Sequence, residues 1–317
     1  MISIDDVERA SRTIAGRVRR TPLLGSASLS EEIGANAYVK AELFQRTGSF
    51  KVRGALNRIA ELTDEERARG VITISAGNHA QAVAWAAREQ GLDALVVMWQ
   101  GADELKVAAT RGYGGTVDQE AGDPTSAFER LAVLHAETGR TLVHPFNDEA
   151  TIAGQGTVGL ELLEDCAAPD VVLVPVGGGG LVSGIATAVK AKRPEARVVA
   201  VEPELSTALR DALAAGHSVP VTPRSAADSL SAPFAGERCV EICRALGVES
   251  VLVSEEELAA AFRWVYVRTK LAAELGAVAG IAALLAGKAA VEPGQTVVSV
   301  VSGGNISPRE AAAILGS

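Results

Sequence analysis

Cysteine is scarce in this 317-residue chain: Cys166, Cys239 and Cys243 are the whole complement. An odd, sparse set builds no disulfide framework, and Cys239 with Cys243 lacks the spacing of a zinc knuckle. Four residues apart, these two read instead as neighbours on one helix face. Positive charge is in deficit as well, with 30 Lys and Arg against 39 Asp and Glu and a net charge of −9. That balance argues against a dedicated nucleic-acid binder, which needs a basic face for phosphates, and against docking on anionic membranes. Trp85, Trp99 and Trp264 form no stacking platform. The amino terminus, MISIDDVERA, has neither the basic start nor the apolar stretch of a secretion signal. The longest uncharged run, Val171 to Val189, contains Pro175 and four consecutive glycines, and so makes a poor membrane span. These absences predict a soluble, cytoplasmic protein.

What is present is an ordinary apolar fraction, 48%, and much glycine, 32 residues. At about 150 residues per domain the length suggests two domains or one large α/β unit. Short β-branched runs alternate with longer amphipathic stretches. Strands are expected at 71–75, 94–98, 141–144, 171–176, 198–201, 251–253 and 296–301. Helices are expected at 5–18, 52–62, 80–90, 127–137, 237–246 and 256–274. Strands without polar alternation, separated by helices, predict an α/β protein with open parallel sheets covered on both faces. The elements fit a smaller unit over residues 45–145 and a larger one built from 1–44 and 146–317.

Ligands of parallel α/β sheets gather beyond the carboxyl ends of the strands, so the residues after each strand are informative. After Val171–Val176 come Gly177, Gly178, Gly179, Gly180 and Leu181, then a helix. Four residues without side chains let backbone N–H groups converge on an anion beside a helix start, which describes a phosphate cup. A GxGxxG also occurs from Gly154 to Gly159, but polar residues rather than a strand lead into it, so a dinucleotide is excluded. No glycine-rich loop runs into Gly-Lys-Ser/Thr, so no Walker motif is present. Lys51 stands at an expected helix start beside Phe50, where the macrodipole disfavours a cation. A lysine there is a candidate neutral amine able to form a Schiff base. Two more strand ends place small polar side chains near a ligand: Ser75-Ala76-Gly77-Asn78-His79 and Ser302-Gly303-Gly304-Asn305. His135, His144 and His217 show no ligand or triad spacing and read as surface or capping residues. Ser254 before Glu255-Glu256-Glu257 reads as a helix cap.

The segments SFKVRGA, SAGNHAQ, GGGGL and VSGGN, in this order and at these separations, resemble the fold-type II pyridoxal-phosphate enzymes, and within them the serine/threonine dehydratase and serine racemase group. The likeness extends from Arg20-Thr21-Pro22-Leu23 to the carboxyl-terminal SGGN. It implies pyridoxal 5'-phosphate as cofactor, a small amino acid as substrate and a homodimer. Carried over motif by motif, Lys51 would hold the cofactor covalently and Phe50 would pack on its ring. Asn78 would meet the ring hydroxyl, the Gly177–Leu181 loop the phosphate, and Ser302 the pyridine nitrogen. Ser75 with the backbone of Asn78 and His79 would receive the substrate carboxylate. A hydroxyl facing the ring nitrogen can leave it neutral, which favours loss of a β-substituent over transamination.

Departures from the family pattern matter too. Glu274 matches, but the proline after it is replaced in Glu274-Leu275-Gly276-Ala277. The stretch Ala227-Asp228-Ser229-Leu230-Ser231-Ala232-Pro233-Phe234 keeps Ala-Asp and then becomes more apolar. Both border the substrate's side-chain end in the family. The cation site of some relatives would begin at Glu202, but Ala208 stands where its second acid belongs, so no metal is expected. Racemases of this family carry a serine where Ala76 stands, and alanine has no proton to give. The expected reaction is therefore dehydration and deamination of L-threonine or L-serine to a 2-oxo acid and ammonia. Elimination from 3-hydroxyaspartate or a specialised amino acid, β-substitution, serine racemisation and a non-catalytic ligand sensor are the alternatives.

Overall fold

The structure, a computed structural model, describes residues 1–316. Among the described residues ten strands occur in chain order: β1 (Leu23–Gly25), β2 (Asn36–Ala41), β3 (Val71–Ile74), β4 (Ala94–Trp99), β5 (Thr116–Ala121), β6 (Thr141–Leu142), β7 (Val171–Pro175), β8 (Arg197–Pro203), β9 (Glu249–Val253) and β10 (Thr296–Val301). They form two sheets. The larger runs β1-β2-β10-β7-β8-β9, parallel throughout except for the antiparallel edge pair β1–β2. The smaller runs β5-β4-β3-β6 and is wholly parallel. All five residues of β7 and all four of β3 are buried, as parallel strands with helices on both faces must be. Apolar clusters line each face of the larger sheet; Leu173 and Val199 belong to one, and Val172 and Val198 to the other.

The parallel α/β architecture read from the sequence is the architecture found. Helix ends differ where local geometry intervenes. The helix expected over 5–18 is Ile4–Ile14. The one expected over 256–274 is Glu255–Thr269, started by a reciprocal Ser254/Glu257 capping box and ended by Lys270 in the left-handed conformation (φ 61°). Residues 270–274 are thereby freed to run back to the site. Strand β6 stops at Leu142, short of the expected His144.

The GxGxxG segment lies inside a 17-residue helix, Glu149–Asp165. A Cβ at Gly154 would stand 2.6 Å from the Gly54 Cα, and one at Gly156 would stand 2.8 Å from the Gly184 carbonyl. These glycines let three helices, Lys51–Ala60, Glu149–Asp165 and Gly180–Lys192, pack backbone to backbone. A buried ion network locks the first two to the large sheet. Arg53, fully buried, donates to both oxygens of buried Glu42 (2.8 and 2.9 Å) and of Glu161 (2.9 and 2.7 Å). Lys40 on β2 also reaches Glu161, at 2.8 Å. Among the described residues no helix is long and apolar enough to cross a membrane.

Candidate active site

Lys51 is the first residue of its helix, and Phe50 before it supplies no side-chain cap. The helix therefore begins with a cation at its positive end and an uncapped turn, both unfavourable to the helix itself. Its Nζ donates to the Pro145 carbonyl at 3.0 Å and lies 5.2 Å from the Phe50 ring centroid. Burial lowers its pKa to about 8, against the opposing pull of Cys239 and Glu274. At neutral pH a usable fraction of this amine is unprotonated, as a nucleophile or base requires.

The segment that receives Lys51 also holds the glycine loop. Phe146, next after Pro145, lays its ring where a Cβ on Gly178 would be, 2.5 Å from Cε1 and nearer still to Cγ and Cδ1. Gly179 adopts φ 93°, and a Cβ there would press on Cys239 at 2.8 Å. Leu230 backbone lies behind Gly177, at 3.2 Å from the equivalent point. Only glycine therefore fits at these three positions, which leaves the loop lined by its backbone amides alone. Those of Gly177, Gly178, Gly179 and Gly180 donate to no acceptor among the described residues. Gly180 and the buried Leu181 then open the helix Gly180–Lys192, whose dipole adds to the amides.

The third side is built on β3 and β10. Ser75 follows β3, and its hydroxyl accepts the Gly77 amide at 3.1 Å. Asn78 and His79 begin the helix Asn78–Glu89, and their amides have no acceptor among the described residues. The Asn78 amide group donates to the Glu274 carboxylate at 2.7 Å and accepts from Asn305 at 2.7 Å. Asn305 also donates to the Thr47 carbonyl at 2.7 Å. Ser302, buried at the end of β10, accepts the Phe50 N–H at 3.1 Å through its backbone carbonyl, and that of Gly303 accepts the Glu274 N–H at 3.1 Å. Burial, reinforced by the Asp228 charge, raises the Glu274 pKa to about 7, while the Asn78 hydrogen bond and nearby Lys106 oppose the rise. His79 is buried, bonded through Nε2 to the Val143 carbonyl at 2.9 Å, and held neutral by burial and the Lys51 charge, its pKa lowered to about 3.

These contacts bring together Lys51 and Phe50, Asn78, Glu274, Ser302 and, by way of Pro145-Phe146, the Gly177–Gly180 loop, with Ser75 and His79 beside Asn78 and Leu181 opening the helix after the loop. Of the two readings offered for His144, surface or capping, the structure shows the capping one, on a half-buried side chain. Its Nδ1 accepts the Phe146 and Asn147 amides, and its ring meets Phe146 edge-on at 4.8 Å. Phe234 closes on Phe146 from another side at 5.4 Å. Pro145 and Phe146 also belong to this arrangement although nothing in the sequence points to them, whereas the sequence marks Asn305 only as part of a small, polar strand end. Cys239 and Cys243 do share one buried helix face, with the Cys239 thiol donating to the Phe146 carbonyl at 3.2 Å. Glu202 accepts the Leu209 and Arg210 amides at 2.7 and 2.8 Å, so it caps the helix Ala208–Ala215.

Comparison with known proteins places this arrangement. A family model described as pyridoxal-phosphate dependent enzyme matches residues 14–303. The L-threonine ammonia-lyase of Thermotoga maritima is 43% identical over 307 residues, covering 96% of this chain and 76% of that protein. Among solved structures, the threonine deaminase of T.th. is 41% identical with a TM-score of 0.91, covering 96% of this chain and 99% of that one. Maize serine racemase superposes with a TM-score of 0.93 at 36% identity, over 97% and 94% of the two chains.

Proposed function

This chain belongs to the pyridoxal-phosphate dependent enzyme family, and we propose that it is an ammonia-lyase that dehydrates and deaminates L-threonine to a 2-oxo acid and ammonia. The observation that carries the reading is the pairing of an amine of lowered proton affinity with a ring of free amides, both fixed by Pro145-Phe146. The residues fit the cofactor. Four unpartnered amides at a helix start suit a phosphate that carries no sugar, and Lys51 is the amine such a cofactor requires. Phe50, Asn78, Glu274 and Ser302 would border its ring, and Gly177 through Leu181 would hold its phosphate.

When bound, the cofactor supplies the electron sink that makes an amino acid's α-hydrogen acidic. The protein's own tasks are binding, orientation and proton transfer. Ser75 with the Asn78 and His79 amides would take the substrate carboxylate at the positive end of a helix. Lys51 Nζ would accept the α-proton, and its pKa of about 8 keeps it competent near neutrality. Glu274 and Asn305 would fix the Asn78 side chain from both ends. Ser302 presents a hydroxyl rather than a carboxylate, which favours departure of the β-hydroxyl.

The same reading assigns residues 45–145 to a small domain and 1–44 with 146–317 to a large one, supported by the partition of the strands into two sheets. L-serine as a second substrate, a homodimer and a cytoplasmic setting complete it, on the family resemblance. The test is a panel of amino acids scored for 2-oxo acid and ammonia. L-threonine should release both in equal amounts, and Lys51→Ala should release neither and lose the yellow colour of the holoenzyme. Full turnover by Lys51→Ala overturns the assignment.

A further inference from the structure

One charged pair at the cleft has no part in that scheme. Lys106, on the helix Glu104–Gly112, donates to the carboxylate of Asp228, which opens the short turn Asp228–Leu230. The first lies between β4 and β5 of the smaller sheet and the second between β8 and β9 of the larger, so the pair ties a segment of one sheet to a segment of the other. The two ends differ in exposure. The Lys106 side chain is 14% exposed and that of Asp228 is 63%. An enclosed ammonium is thus matched by a carboxylate that solvent, or another carboxylate, can replace.

The Asp228 turn touches the site on two sides. Leu230 lies behind Gly177 of the glycine loop, and the Ser229 hydroxyl faces Gly276, two residues from Glu274. Glu274 and Glu310 also act on Lys106 through space, but the Glu274 carboxylate is taken by Asn78 and Glu310 by the Ser307 cap. Asp228 is therefore the one carboxylate directly bonded to Lys106 among the described residues.

We propose that Asp228 is a specificity-determining residue that acts through Lys106. By neutralising that ammonium and placing a negative charge at the cleft mouth, it reserves the site for β-hydroxy amino acids with uncharged side chains. Specificity of this kind rests on repulsion of the wrong ligand as much as on attraction of the right one. Without Asp228, the Lys106 ammonium is free to receive the second carboxylate of an amino-dicarboxylate. The inference rests on the amino-acid reading above.

The test uses holoenzyme of the wild type, Asp228→Asn, Asp228→Ser, Asp228→Glu and the double variant Asp228→Asn/Lys106→Met. Two quantities are measured: the ratio of kcat/KM for 3-hydroxyaspartate to that for L-threonine, and calorimetric binding of succinate, which has no amine to react. Asp228→Asn and Asp228→Ser should each raise the ratio at least tenfold and tighten succinate at least tenfold. Asp228→Glu should restore both to wild-type values, and the double variant should lose both gains. An unchanged ratio or unchanged succinate affinity in both neutral variants overturns the proposal, as does a gain that survives loss of Lys106. If the wild type releases no 2-oxo acid from L-threonine, the amino-acid reading fails, and the succinate titration alone still decides the role of Asp228.

Discussion

Gly178→Ala separates two ways in which the glycine loop could depend on its missing side chains. A methyl at this position points at the Phe146 ring, 2.5 Å from Cε1 and closer to Cγ and Cδ1. The ring must therefore move. It has little room, being 9% exposed and wedged between His144 and Phe234 at centroid distances of 4.8 and 5.4 Å. Overpacking of a filled site typically costs about 1–3 kcal/mol. Strain common to apo- and holoprotein lowers stability, and strain that only the apoprotein can relax weakens the cofactor; urea unfolding of the holoenzyme registers both. The expected loss there is about 1–3 kcal/mol, and any share that falls on the cofactor weakens it about tenfold per 1.4 kcal/mol. Phe146→Leu on its own loses packing, but it also removes the atoms the methyl strikes. The double variant Gly178→Ala/Phe146→Leu should accordingly be more stable than the sum of the singles by about 1 kcal/mol or more. Additivity within about 0.5 kcal/mol, the level expected of independent sites, would refute the reasoning and place the damage at the phosphate side instead.

Other expectations follow from the same geometry. Capture of pyridoxal phosphate by apoprotein needs the unprotonated Lys51 amine, so its rate should rise about tenfold per pH unit below about 8 and level off above; a rate still climbing at pH 10 in stopped-flow absorbance would contradict the burial of that amine. Arg53→Met leaves the buried Glu42 carboxylate without its cation and should lower stability by about 3–5 kcal/mol in urea, with partial recovery in Arg53→Met/Glu42→Gln; wild-type stability of the single variant would show that the network contributes nothing. Chiral analysis of the products from L-serine should find mainly 2-oxo acid and little D-serine, because alanine stands at position 76, where the resemblance puts the proton-donating serine of the racemases, and Ala76→Ser should raise the racemised share; D-serine forming as fast as 2-oxo acid in the wild type would sink this view.

What the sequence disclosed and what it hid have physical causes. Ser75-Asn78, the four glycines and Ser302-Asn305 each follow a buried β-branched strand of a parallel sheet, where a break from apolar to small and polar residues is conspicuous and where ligands collect. The helix Glu149–Asp165 was invisible because its periodicity is masked. It is buried on nearly every side, its Gly154, Gly156 and Gly159 serve close backbone contact, and Gln155 and Thr157 are buried as well. Strand β5, TVDQEA, lies at the edge of the smaller sheet and carries polar residues that no strand pattern would select. The overrun of the helix ending at Thr269 has a local reason: the left-handed stop is made by Lys270, not by the glycine that usually announces it.

Pro145 and Phe146 show a deeper limit. Lys51 is poised by a backbone carbonyl, the glycine loop by the face of a ring, and Asn78 by an amide 227 residues away. A carbonyl is supplied by any residue, so nothing in the letter P at position 145 announces an acceptor for an amine. Residue types can declare which chemistry is available, because a cofactor that needs an amine and a phosphate cup must find lysine and glycine. Proton affinity is set by what closes over the group. The Lys51 amine falls to about 8 and the Glu274 carboxyl rises to about 7 through burial first, with neighbouring charges second. Around these positions the Ser302–Asn305 turn after β10 meets Phe50, Glu274 and the Asn78 helix that follows β3. The tuned values that make the lysine a competent base therefore belong to the folded assembly of these segments rather than to any one motif.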